Sequence, residues 1–96
     1  KRQEPWPPKW DEDFGFAAAN YPIIATEIGF GLRNNETITP NHYGYQITKY
    51  LEEHGMSWIA WVFDPEWGPN MLKSWNYELT DMGNFFQHAM QAKSYK

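Results

Sequence analysis

The spacing of apolar positions changes along the chain, and each change marks an element. From Trp10, the apolar residues Trp10, Phe14, Ala17 and Ala18 recur at helical spacing. Asp11, Glu12 and Asp13 fall in the first turn, where a helix dipole favours acids. This pattern predicts a helix over 10–20, stopped by Asn20-Tyr21-Pro22. Residues 1–9 read as loop, because Pro5, Pro7 and Pro8 crowd around Trp6. Pro22-Ile23-Ile24-Ala25-Thr26-Glu27-Ile28 is rich in β-branched residues and lacks polar alternation. It predicts a strand over 22–28, covered on both faces and closed by Gly29 and Gly31. Asn34, Asn35, Glu36 and Thr37 then read as loop. Thr39-Pro40 supplies a cap and a first-turn proline for a helix over 39–54, with Tyr43, Ile47, Tyr50 and Leu51 on one face and Gly55 at its end. Ser57 to Phe63 predicts a second buried strand, and Asp64 to Asn70 a stiff loop. Thr80 caps a last helix over 80–92, whose inner face is Met82, Phe85, Phe86, Ala89 and Met90.

The predicted order is α-β-α-β-α. Strands separated by a helix pair in parallel through a right-handed crossover. Parallel sheets need helices on their faces and several strands, and two strands leave two open edges. The pattern therefore predicts an α/β unit equivalent to a quarter of a (β/α)8 barrel. Such a unit gains its missing burial by self-association, as a dimer or a higher homo-oligomer.

Composition narrows the partners. Lys plus Arg is 8 and Asp plus Glu is 12, for a net charge of -4. An acidic chain whose only arginines are Arg2 and Arg33 lacks the basic patch a nucleic-acid binder needs. No apolar stretch approaches a membrane span. Lys1 and Arg2 have no apolar run behind them, so no signal peptide is expected at this end. Cysteine is absent, which removes disulfides and thiolate metal sites. His42, His54 and His88 stand at no metal-ligand spacing, so neither a metal nor another cofactor is expected. The chain carries 6 Trp, 6 Tyr and 6 Phe, too many large rings for the interior of 96 residues. Rings left in a groove suit sugars, since an aromatic face covers the C–H face of a pyranose while polar neighbours take the hydroxyls.

Glu27 is the sharpest chemical feature, an acid at the C-terminal end of an apolar strand. Catalytic groups of (β/α)8 barrels sit at such strand ends. A salt-bridged or helix-capping carboxylate fits the strand pattern equally well. Alternation along the strands puts Ile23, Ala25 and Glu27 on one face. It makes Trp61 the candidate sugar platform and turns Trp58 toward the helices. Trp67 sits in the Pro- and Gly-rich loop with Asp64, Glu66 and Asn70, while Trp6 and Trp10 suit either core or groove, Trp10 the former.

Together these residues resemble one family. Pro22-Ile23-Ile24-Ala25-Thr26-Glu27-Ile28-Gly29 is similar to strand seven of glycoside hydrolase family 5 cellulases, which implies a nucleophile at Glu27. Ser57-Trp58-Ile59-Ala60-Trp61 resembles strand eight, which implies a sugar platform at Trp61 and sugar contacts from Asp64, Glu66 and Trp67. The family's acid/base lies in an Asn-Glu-Pro motif after strand four, upstream of residue 1. Asn35-Glu36-Thr37 lacks the proline and follows the wrong strand. A retaining glycosidase needs both carboxylates. The resemblance thus implies β-glucan recognition by a segment that is not hydrolytic alone. The alternatives are a fragment of an intact endo-β-1,4-glucanase and a barrel fragment without activity of its own. It also implies a secreted, extracellular setting. Asn70 and Trp6 complete the candidate sugar-binding residues.

Overall fold

In the computed structural model, residues 5–33 and 36–94 are described. Helix α1 runs Trp6–Asp13 and is followed by a 3₁₀ helix, Gly15–Ala19. Strand β1 is Ile24–Ile28, helix α2 Tyr43–Glu53, strand β2 Ser57–Ala60 and helix α3 Asp81–Ser94. The two strands pair in parallel and the helices cover one face of the sheet.

Several boundaries differ from the sequence reading, each for a local reason. The first helix starts at Trp6, inside the segment read as loop. Pro7 and Pro8 occupy its first turn, where a missing N–H costs nothing. It also breaks early: Phe14 leaves helical geometry, and Gly15 to Ala19 tighten into 3₁₀. Gly15 lies against Tyr50, where a Cβ would collide with the phenol oxygen. That oxygen donates to Asp11 Oδ1 at 2.5 Å, and burial together with this carboxylate raises the Tyr50 pKa well above the ordinary phenol value.

Helix α2 begins at Tyr43, after the Thr39-Pro40 signal. His42 is the cap, its Nδ1 accepting from the Gly44 N–H at 3.0 Å. Thr39 instead closes a preceding turn, its carbonyl accepting from His42 N. The second strand ends at Ala60, three residues before the predicted Phe63. Val62 pairs with Pro69 and Met71 rather than with β1. Thr80 does cap α3: its hydroxyl accepts from Gly83 N at 3.1 Å. Met82, Phe85 and Phe86 are buried on the inner face, but Met90, in the C-terminal half of α3, is 49% exposed.

The core joins Trp10, Ile28, Phe30, Ile47, Tyr50, Leu51, Met56, Phe85 and Phe86. Phe30, beyond the end of β1, packs edge-on against Phe85 and His42 and tilted on Phe86. The other sheet face is open. Ile24 is 59% exposed and Ile59 is 54% exposed, so these strands are covered on one face only. One chain thus covers one face of the sheet, as expected of two strands too few to bury both.

Candidate functional site

Strict alternation fails in β1, and the failure places Glu27. The register runs Ile24 with Ser57, Ala25 with Trp58, then Ile28 with Ala60. Three steps on β1 therefore oppose two on β2, which is a β-bulge over Thr26 and Glu27. Ile23 and Ala25 pack toward the helices before the bulge, and Ile28 is buried there after it. Glu27 is thus not on the face of Ile23 and Ala25, as alternation predicted. The extra residue frees it to stand exposed at the strand end. Among the described residues, the Glu27 carboxylate makes no hydrogen bond or ion pair. The salt-bridged and capping alternatives find no partner here.

Trp58 faces the helices as expected, 5.7 Å from Phe86 between ring centroids, and its indole donates to Glu52. Trp61 follows β2 and its backbone N–H donates to the Ile28 carbonyl at 2.8 Å, which ties it to the Glu27 end of β1. Gly29 makes this approach possible. A Cβ there would stand 2.5 Å from the Trp61 carbonyl oxygen and 2.6 Å from the Pro69 ring. The Glu27-Ile28-Gly29 sequence therefore brings a carboxylate and an indole-bearing loop to one end of the sheet.

The loop after Trp61 is built around Asp64. Its Oδ1 accepts from Glu66 N at 2.6 Å and Trp67 N at 2.8 Å, an Asx-type turn. This holds Trp67 6.1 Å from Trp61, ring centroid to ring centroid. Trp67 is 64% exposed and Trp61 half-buried. Glu66 is exposed beside them. Asn70 is tied inward, its amide donating to the Leu72 carbonyl and its own carbonyl accepting from Thr80. Trp6 lies elsewhere. It stacks on Trp10 at 6.0 Å and meets the edge of Tyr43, within the α1–α2 layer. Glu36 organises a turn: it accepts from Arg33 N at 2.8 Å and lies 3.6 Å from His42 Nε2. No group of three metal-ligating side chains occurs among the described residues.

The sequence reading passed over a second aromatic pair. Phe63 and Tyr77 lie nearly parallel, at 17° and 6.2 Å, and both are largely exposed. Tyr77 comes from a small hairpin closed by a Leu72–Leu79 bridge. The available signal was the run Ser74-Trp75-Asn76-Tyr77, in which polar turn formers alternate with rings and leave the rings no interior to enter.

No protein-family model matches the chain, and no curated protein matches it. Solved structures do. A β-glucanase from Saccharophagus degradans in complex with cellotetraose is 36% identical, with a TM-score of 0.77 over 97% of this chain and 30% of that one. The native form of the same enzyme gives 36% identity and a TM-score of 0.74 over the same shares. The chain therefore spans 30% of the length of these structures. Its two parallel strands and three helices match part of a family 5 glycoside hydrolase barrel.

Proposed function

We propose that the chain is the part of a β-glucan-binding cleft that carries the sugar platform and one of its two carboxylates. The supporting observation is the Trp61–Trp67 pair, held beside the Glu27 strand end by the Asp64 turn and by Gly29. One indole lies partly sheltered and the other open, with Glu66 alongside to accept from sugar hydroxyls. Likeness to a β-glucanase solved with cellotetraose supports a glucan over other glycans. In this reading Glu27 occupies the nucleophile position of a retaining endoglucanase whose acid/base lies upstream. Polymeric glucan stays outside cells, so the chain acts extracellularly.

The 96 residues bind without hydrolysing. Trp61→Ala and Trp67→Ala are each expected to weaken cello-oligosaccharide binding at least about five-fold, since a stacked ring contributes roughly 1–3 kcal/mol. Tryptophan fluorescence titration and pull-down on cellulose measure it. Binding unchanged in both folded variants would remove these rings as the platform.

The same reading requires a cover for the open sheet face. Among the described residues, Ile24 and Ile59 stand exposed on a two-stranded sheet with both edges unpaired. Without the rest of a barrel, copies of this chain cover one another, and light scattering at micromolar concentration is expected to report a dimer or larger. A monomer that melts cooperatively would overturn that expectation.

A further inference from the structure

We propose that Phe63 and Tyr77 form a second sugar platform, which takes a further pyranose unit of a β-glucan chain beyond the Trp61–Trp67 pair. The proposal rests on the glucan-binding reading above and extends it along the ligand.

Three observations carry it. The first is the shape of the pair. At 6.2 Å and 17° the rings are offset and nearly parallel, a stepped apolar surface. Phe63 is 55% exposed and Tyr77 64%, although each touches the other. The Tyr77 hydroxyl adds a polar tip, and Asn76 is exposed beside it for sugar hydroxyls, while Glu78 is paired with Lys73 at 3.5 Å.

The second is the backbone of Tyr77. Its φ is +65°, in the left-handed region that glycine and asparagine enter at far lower cost than a bulky residue. A ring kept at a strained position, and kept in solvent, serves contact rather than folding.

The third is mounting. Phe63 follows Val62, whose N–H and carbonyl are both engaged, with Pro69 and Met71. Tyr77 N donates to Ser74, inside a hairpin where Lys73 N donates to the Glu78 carbonyl at 2.7 Å. Rings on pinned backbone lose little freedom when a ligand stacks on them. Chain geometry also keeps the Phe63 Cα within about 7 Å of the Trp61 Cα, because one residue separates them. The two ring pairs are therefore joined by a single intervening residue, Val62.

The test is binding as a function of ligand length. The parent chain is expected to bind cellohexaose more tightly than cellobiose, by calorimetry or fluorescence. Phe63→Ala and Tyr77→Gly are expected to remove at least about five-fold of the cellohexaose affinity and to leave cellobiose unchanged. Tyr77→Gly relaxes the left-handed backbone, and its melting temperature, measured beside the parent's, confirms that the loss reports the ring. Tyr77→Trp restores the affinity. Cellohexaose binding unchanged in Tyr77→Gly, with Trp61→Ala still weakening it, overturns the second platform and leaves the first. Loss in Tyr77→Gly with none in Trp61→Ala supports the second and overturns the first. A parent chain that binds no cello-oligosaccharide overturns both. Dissociation of an oligomer by Phe63→Ala and Tyr77→Gly without any change in sugar binding assigns the rings to a contact between copies and overturns the proposal.

Discussion

No reducing sugar is expected from β-glucan incubated with the purified 96-residue chain. Retaining hydrolysis needs a nucleophile and an acid/base about 5–5.5 Å apart. Glu27 stands without a carboxylate partner among the described residues. Three other carboxylates are otherwise engaged or not tied to it. Asp64 accepts two backbone N–H groups and shapes its own loop, and nothing ties the exposed Glu66 to Glu27. Glu36 is held in its turn by Arg33 and His42. General acid–base assistance typically contributes 10²–10⁴-fold. A reducing-sugar assay on soluble β-glucan checks this. Release that scales with protein and vanishes in Glu27→Gln would show that these residues suffice for catalysis.

Phe86→Ala is expected to cost about 3–5 kcal/mol of stability, a large share of the 5–15 kcal/mol typical of a folded domain. Phe86 is 0% exposed and joins three parts of the structure. Its ring lies 5.2 Å from Phe85, 5.7 Å from Phe30 and 5.7 Å from Trp58. It therefore fixes α3 to the segment leaving β1 and to the covered face of β2. Truncation leaves a cavity where those elements meet. Urea unfolding of parent and variant, monitored by tryptophan fluorescence at equal protein concentration, measures the difference. A loss below about 1 kcal/mol would mean that α3 is not held through this ring.

The element order was legible because each signal was local. Thr80 before an acid and an apolar stripe capped α3, and the β-branched runs became the two paired strands. What escaped depended on contacts across the chain. Nothing local reveals that His42 rather than Thr39 caps α2, since the histidine's role is to accept Gly44 N with a ring already packed on Phe30. The early end of β2 is similar: Val62 turns away because Pro69 and Met71 compete for its backbone. At the site, Trp61, Trp67 and Glu27 were legible from spacing as candidates, and the first two lie together. The resemblance implies a sugar contact from Asp64, and its Oδ1 also serves the turn that holds Trp67. Trp6 suits core or groove by sequence, and its ring joins the α1–α2 layer. Phe63 and Tyr77 pair across residues that sequence spacing does not connect.

The bulge in β1 also sets a rule for recombination. A chimaera that exchanges segments between related barrels usually tolerates a junction inside a strand, because both parents share the same pleat. Here Ala25 and Ile28 meet the helices on either side of one supernumerary residue. A crossover with a parent lacking that residue, made between them, would rotate everything downstream by half a pleat. It would turn Ile28 outward and carry Gly29 away from the Trp61 carbonyl it must pass beneath. Junctions belong before Ala25 or after Phe30, and the stretch between is inherited as a single block.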